Sequence, residues 1–486
     1  MGYSQFLNMV PEFYLVCILL VVFFMDFFLT RRSEKSHEVM GGVTIGLMIV
    51  LPFRIAFLSE PVEAFGGMYV ASQAANVMKV ILSIGTVIVL IMAEPWLKNE
   101  AQKHRGEFYL LMLSTLLGMF IMVSSGSFLL FFLGLETASV PMACLVAFDK
   151  FKKKSAEAAA KYILVATFSS GVMLYGISFV YAATGTLYFD DVADAIFGTN
   201  PLYEGVTPLT ILGLVFFFSG LAFKLSLVPF HFWTADTYEG APTPVTGYLS
   251  VCSKGAAAFA AMVILCKAFA PLVEYWEYML YIVIVLSITI ANLFAIRQSE
   301  LKRFMAFSSI SQAGYIMLAV IGASQTGMAS LMYYVLVYVV ANMAVFTVIS
   351  TVEQNNGGTT AISSYDGLYQ TNPKLAFLMT LALFSLAGIP PFAGMFSKFF
   401  VFMAAAQQGS FWAYFVVFIA LVNTVVSLYY YLLIVKAMYI KQTDTPLPTF
   451  KTDGNTRFAL AICTLGIALF GICSCIYDWL FAASAM

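Results

Sequence analysis

Four ionisable side chains stand in runs that are otherwise apolar: Glu136 in FLLFFLGLETASVPMACLVAF, Lys224 in ILGLVFFFSGLAFKLSLVPF, Lys254 in VTGYLSVCSKGAAAFAAMVIL, and Lys398 just after SLAGIPPFAGM. A charge held at mid-bilayer costs roughly 2.5 to 3.5 kcal/mol on insertion scales. Four such groups on different segments point to an ion path. Three amines and a carboxylate suit protons, passed stepwise between donors and acceptors in hydrogen-bond reach or one water apart.

Each residue has a plainer alternative. Glu136 and Lys224 are expected to face each other across two helices, each holding the other's charge in a poorly solvated place; a static ion pair that fixes packing is the alternative. Lys254 stands beside Ser250, Ser253, Gly255 and a run of alanines, small residues that admit water and neighbouring backbone, as a central relay needs. Snorkelling to an interface is difficult from there and easier for Lys398, read as an exit group. Lys161 lies a turn or two beyond the Lys152–Lys154 cluster, as a further relay or a snorkelling side chain. His231, in PFHFW, would gate uptake or cap a broken helix. Arg54, Lys79, Lys436 and Asp26 are read as interfacial anchors.

The elements that position these groups are membrane helices. Of 486 residues, 61% are hydrophobic and 10% charged, against about 25% charged in a soluble domain. Apolar stretches near the 20 or so residues that span a bilayer recur fourteen times, at 11–29, 40–58, 75–95, 108–124, 127–148, 158–184, 208–232, 243–269, 272–296, 304–323, 327–352, 374–404, 410–439 and 457–481. The first is longer than a signal h-region and lacks an A-x-A site, so it is expected to remain as a helix. The links, the longest near 185–207 and 353–373, are too short for a soluble core. A net charge of −1 leaves no basic surface for nucleic acid. Seven cysteines lie almost wholly inside spans without metal-ligand spacing, and His37, His104 and His231 are scattered. The sequence predicts no redox centre and no metal on this chain.

Seventeen of the 25 Lys and Arg residues fall in links after odd-numbered spans. Links after even spans hold Lys267 and acids such as Glu60, Glu63, Asp190, Asp191, Asp194 and Glu204. The positive-inside rule then puts both termini on the outer side. Lys224 in span 7 and Lys398 in span 12 are five spans apart, each near a proline break. Two five-helix units of opposite polarity, spans 4–8 and 9–13, fit that spacing, as in transporters built from inverted repeats. The expected division is an N-terminal three-helix segment (1–107), a first repeat (108–269), an inverted second repeat (270–440) and a C-terminal helix (441–486). Pro229 would free the carbonyl of Leu225, and Pro390 with Pro391 those of Leu386 and Ala387; such backbone is tolerated only where protein or water covers it.

The string PFHFWTADTYEGAPTPVTGYLS, residues 229–250, resembles the span 7 to span 8 signature of the antiporter-like subunits of respiratory complex I and related proton- or sodium-pumping complexes. The likeness runs over nearly the whole chain, through FLGLETASVP, GLAFKLSLVPFHFW, SVCSKGAAA and GIPPFAGMFSKF. Ala235 departs mildly from the family, in which Pro often stands there. Length, no lateral helix beyond span 14, and Lys rather than Glu at position 398 resemble the subunit N branch, called subunit 2 in mitochondria. The resemblance implies a proton-translocating membrane-arm subunit of NADH:quinone oxidoreductase, driven by quinone reduction elsewhere. It implies Glu136 and Lys224 as a charge pair, Lys254 as relay, Lys398 as terminal lysine, and Lys161 as a family lysine of less defined role. NADH, FMN, iron–sulfur clusters and quinone would belong to partner subunits. The implied partners are other membrane-arm subunits and the lipid bilayer, in a bacterial inner membrane or an organellar one. A subunit of a multi-subunit Na+/H+ antiporter is the alternative from another class, and a chain with its own quinone slot a third.

Overall fold

The computed structural model describes residues 3–29, 34–58, 60–198, 205–441, 443, 446–473 and 475–485. Glu204, and Arg31 and Arg32 of the first basic link, lie outside them. The N-terminal segment carries α1 (Val10–Leu29), α2 (Glu34–Ala56) and α3 (Gln73–Glu100), with a short antiparallel hairpin, Val62–Ala64 with Tyr69–Ala71, between α2 and α3. Next come α4 (Arg105–Val123), α5 (Phe128–Val146), α6 (Lys153–Thr184), the short α7 (Phe189–Phe197), α8 (Pro208–Leu225) and α9 (Phe232–Gly240). A composite span follows, made of α10 (Thr243–Tyr248), a π-helical turn (Leu249–Ser253) and α11 (Lys254–Cys266). The remainder comprises α12 (Val273–Ile296), α13 (Leu301–Ile321), α14 (Gln325–Asn355), α15 (Leu368–Thr371), α16 (Pro373–Ala387), α17 (Ala393–Ala406), α18 (Phe411–Tyr439), α19 (Gly454–Ile472) and α20 (Cys475–Ala483).

Among the described residues thirteen helices are long and apolar enough to cross a membrane, and α16 with α17 form the halves of a fourteenth. The chain is an integral, multi-pass membrane protein. Helix starts follow ordinary capping chemistry: Ser72 accepts from the Ala75 amide at 3.1 Å, Ser324 from that of Gly327 at 3.1 Å, and Thr207 with Thr210 closes a capping box on α8. Each meets an amide that the first helical turn leaves without a partner. Helices close where glycine removes the side chain. A Cβ on Gly118 of α4 would fall 2.3 Å from the Ala138 amide of α5, a small-residue contact of the kind that draws membrane helices together.

Burial is uneven. The apolar stretches of α13 and α14 are wholly buried, whereas α1 and α18 turn most of theirs outward. The centre is thus α13 and α14, flanked by α3, α10 and α11, and there the buried polar side chains collect.

Two spans break as the prolines require. Helix α8 stops at Ser226 (φ 61°) and the chain resumes as α9 after His231; α16 stops at Gly388 (φ 86°) and resumes as α17 after Phe392.

The expectation for Lys79 is corrected. It is fully buried, and its Nζ lies 2.6 Å from Glu12 of α1 and 3.0 Å from the Tyr69 hydroxyl, which itself donates to Glu12 at 2.9 Å. The hairpin after α2 carries Tyr69 back to this pair, so Lys79 joins α1, the hairpin and α3. Position near a helix start suggested an anchor; the carboxylate on another helix decides otherwise. Replacing one partner of a buried pair costs about 3 to 5 kcal/mol, while an apolar replacement of both is far milder. Glu12→Gln should therefore lower the thermal unfolding midpoint sharply, and Glu12→Gln with Lys79→Met should recover most of it, as read by fluorescence-detected unfolding in detergent.

Candidate functional site

Lys224 sits in the last turn of α8, 4% exposed, and donates to Ser139 Oγ of α5 at 2.8 Å. Ser139 donates in turn to the Leu135 carbonyl at 2.6 Å. Glu136, one turn before Ser139 on α5, is half-buried and accepts a hydrogen bond from Ser170 of α6. Among the described residues no ion pair joins Glu136 to Lys224, which disfavours the static ion pair that was the alternative. The two share one locality, close enough for the carboxylate charge to act on the amine, but each is held by a hydroxyl. Tyr162, buried and packed on Trp233, lies beside both Glu136 and Ser139.

Lys254 opens α11 directly after the π turn, 1% exposed. Its partner is Ser309 of α13, at 2.7 Å, rather than the serines beside it in sequence. Ser309 also lies 3.2 Å from the Tyr238 hydroxyl of α9 and 3.4 Å from the Ser250 carbonyl, and Ser250 Oγ accepts from Asn342 of α14 at 2.6 Å. Tyr238 further presents its ring to the Lys254 ammonium, 5.5 Å from the centroid.

Lys398, 4% exposed on α17, reaches back across the break and donates to the Ala387 carbonyl at 3.0 Å. Gln312 of α13 donates to the Leu386 carbonyl at 3.3 Å. These are the two carbonyls that Pro390 and Pro391 deprive of an amide, so the polar side chains here meet a backbone need in a place without bulk water. Gln312 also donates to the Tyr431 hydroxyl at 3.3 Å and accepts from Tyr334. A cavity of about 10 Å³, room for about one water, is bounded by Gln312, Tyr334, Tyr338, Ser385 and Lys398. The halves of this span meet tightly: a Cβ on Gly394 would fall 1.6 Å from the Ser385 carbonyl oxygen. Gly394→Ala should push α17 off α16, displace Lys398 from Ala387, and reduce the assembled protein recovered from membranes; Ser397→Ala, one turn on, should leave it near normal.

Between the lysines runs a polar seam that reading by charge alone missed. Ser308, Ser309 and Gln312 of α13 span the interval from Lys254 to the α16–α17 break, and Tyr334, Tyr338 and Asn342 recur every fourth residue along α14. The signal was present as SSISQ in an apolar span and as that fourfold spacing, which puts three polar groups on one helix face. Lys302 was also missed. Assigned to a link by sequence, it is buried and donates to the Ala241 carbonyl at 2.6 Å. His231 starts α9 in the first break and is near enough to Lys254 to feel its charge.

Lys161 is placed differently from the other four expected residues. It is exposed, bonded to Asp236 at 2.6 Å and to Glu157 at 2.8 Å. Arg303 of α13 adds bonds of 2.7 Å to Asp236 and 2.8 Å to Glu239, and Lys154 reaches Glu239 at 2.8 Å. This cluster clamps α9 between α6 and α13 and lines a surface cavity of about 140 Å³. Burial raises the carboxyl pKa of Asp236 and Glu239, but bonds from Lys161 and Arg303, and from Lys154 and Arg303, outweigh it and hold both below their ordinary values. Carboxyls depressed by folding contribute stability that is complete above their unfolded pKa and lost as pH falls through the folded one. Hydrogen exchange of the α9 amides, corrected for intrinsic rates, should stay protected down to about pH 5 and lose protection below about pH 4.

The family model described as NADH:quinone oxidoreductase/Mrp antiporter, transmembrane, matches residues 125–427, which contain all five expected site residues. The chain belongs to this family. Family members named NADH-quinone oxidoreductase subunit N include one from Phocaeicola vulgatus, 57% identical over 99% of each chain, and one from Azobacteroides pseudotrichonymphae, 50% identical over 99% of this chain and 98% of the other. A chain of respiratory complex I from Thermus thermophilus, solved with bound aureothin, aligns over 96% of this chain and 98% of its own with 28% identity and a TM-score of 0.78. A chain of the Mrp complex from a Dietzia species shares the fold, with a TM-score of 0.83 at 19% identity over 99% and 97% of the two chains.

Proposed function

We propose that this chain is the antiporter-like, subunit N type membrane-arm subunit of a proton-translocating NADH:quinone oxidoreductase, and that its buried lysines carry the protons. The observation that carries the mechanism is the row Lys224–Ser139, Lys254–Ser309 and Lys398–Ala387, in which each buried amine bonds a neutral oxygen at 2.7 to 3.0 Å. Such an oxygen accepts from an ammonium and still accepts from a neutral amine, and a serine hydroxyl can also donate to that amine. Both protonation states keep a partner.

On this reading Glu136 sets the charge balance at Lys224 without locking it, since Ser139 rather than the carboxylate takes the hydrogen bond. His231 and the polar seam of α13 carry protons between stations, and the small cavity beside Lys398 holds a water for the last transfer. Lys161 acts at the rim, through Asp236, by fixing α9. Quinone reduction with NADH, FMN and iron–sulfur clusters takes place on partner subunits, and no step on this chain passes through those groups. Net basic residues in the odd links put both termini on the outer side of a bacterial inner membrane. The relatives named as subunit N, far more similar than the Mrp chain, favour complex I over a stand-alone antiporter.

Lys224→Met keeps most of the length of the side chain but cannot hold a proton. Coupled quinone reduction and proton uptake by membrane vesicles should fall at least tenfold while the complex still assembles on a native gel. Full pumping by that variant would remove Lys224 from the path.

A further inference from the structure

A crevice of about 480 Å³ opens between α2 and the start of α19, floored by the end of α3, and none of the lysine row lines it. One end is charged. There Lys98 bonds Glu38 at 2.9 Å, and Arg105 bonds Glu94. These pairs leave one buried need unmet, beside an exposed carboxylate. The Nε and Nη1 of Arg105, itself 1% exposed, are buried without an acceptor, and the Asp453 carboxylate stands ahead of α19 with no cap hydrogen bond and, among the described residues, no ion pair. The first amides of α19 add further unpaired donors.

Unmet donors and an exposed carboxylate without a protein partner, lining one crevice, match a ligand carrying both charges. A phosphate suits the Arg105 guanidinium and a helix N-terminus, and a primary ammonium suits Asp453. An anion alone would face Glu38, Glu94 and Asp453, and a cation alone Lys98 and Arg105. A quaternary ammonium could not donate to Asp453, and Phe458, one aromatic ring, falls short of the cage that such a group favours. Away from the charges the walls become apolar, with Ile45 and Ile91, and outward-facing Val43 and Ile49 on α2 and Leu465 and Leu469 on α19 continue them along the membrane. A Cβ built on Gly42 meets nothing within 4 Å, so the slot beside α2 is open to an acyl chain.

We infer that this crevice seats a glycerophospholipid with a phosphoethanolamine head, its phosphate toward Arg105 and α19, its ammonium at Asp453, and its chains along α2 and α19. The lipid closes the gap between the second and last spans of the bundle. This does not rest on the proton path.

The native membrane complex would be purified as wild type, with Asp453→Asn plus Lys98→Gln, and with Gly42→Trp, whose Cβ meets no neighbour and whose ring would occupy the slot. Phospholipids kept after exhaustive detergent washing would be counted by mass spectrometry, and rebinding of isotope-labelled phosphatidylethanolamine, phosphatidylglycerol and phosphatidylcholine measured by native mass spectrometry. The wild type should keep one phosphatidylethanolamine more than either variant, and only the ethanolamine lipid should restore it. Equal retention in all three proteins, or equal rebinding of phosphatidylglycerol or phosphatidylcholine, overturns the assignment. So does a density map of the complex with a partner polypeptide in the crevice. Turnover is not among the readouts, so this result and that of Lys224→Met are independent.

Discussion

A cation taken out of water must find an oxygen, and which oxygen it finds divides this protein into two kinds of site. Lys79 and Arg105 find carboxylates, Glu12 and Glu94. Lys224, Lys254, Lys302 and Lys398 find a hydroxyl or a backbone carbonyl. A carboxylate fixes the ammonium form, because losing the proton would strand a buried negative charge. A neutral oxygen imposes no such penalty. The first kind ties the N-terminal helices together; the second leaves the central lysines able to change state. The bundle around α13 and α14 is arranged to supply the second kind, with serines, tyrosines and amides facing inward.

The broken spans follow from the same constraint. Pro390 and Pro391 cost α16 its last amide partners, and in a soluble protein water would take their place. Here Lys398 and Gln312 take it. At the other break Trp233 donates to the Phe223 carbonyl at 3.1 Å and Ser287 accepts from the Val228 amide at 2.9 Å. Each break is thus sealed by side chains from other helices, which places a buried amine and an interrupted backbone at one point.

Much of this was legible in the chain. A lysine in an apolar run carries a large insertion cost, so Lys224, Lys254 and Lys398 stood out, and proline chemistry named the Leu386 and Ala387 carbonyls before any neighbour was known. Partners were not legible. Lys254 is beside Ser250 and Ser253 in sequence yet bonds Ser309, fifty-five residues on, because contact between helices depends on rotation about their axes. Serine, tyrosine and glutamine cost little in an apolar helix and so give little signal, which hid the seam along α13. Lys79 departed from its expectation because distance from a helix end says nothing of what the neighbouring helices cover.

The π turn at Leu249–Ser253 has a geometric consequence for Lys254. A π turn amounts to one residue added to an α-helix, and at 3.6 residues per turn that addition swings everything beyond it by about 100°. The bearing of Lys254 toward Ser309 is therefore owed to a surplus residue upstream, as much as to the lysine itself. Deleting a single residue from that turn would keep the amine, its depth and its helix, and aim it at a different wall.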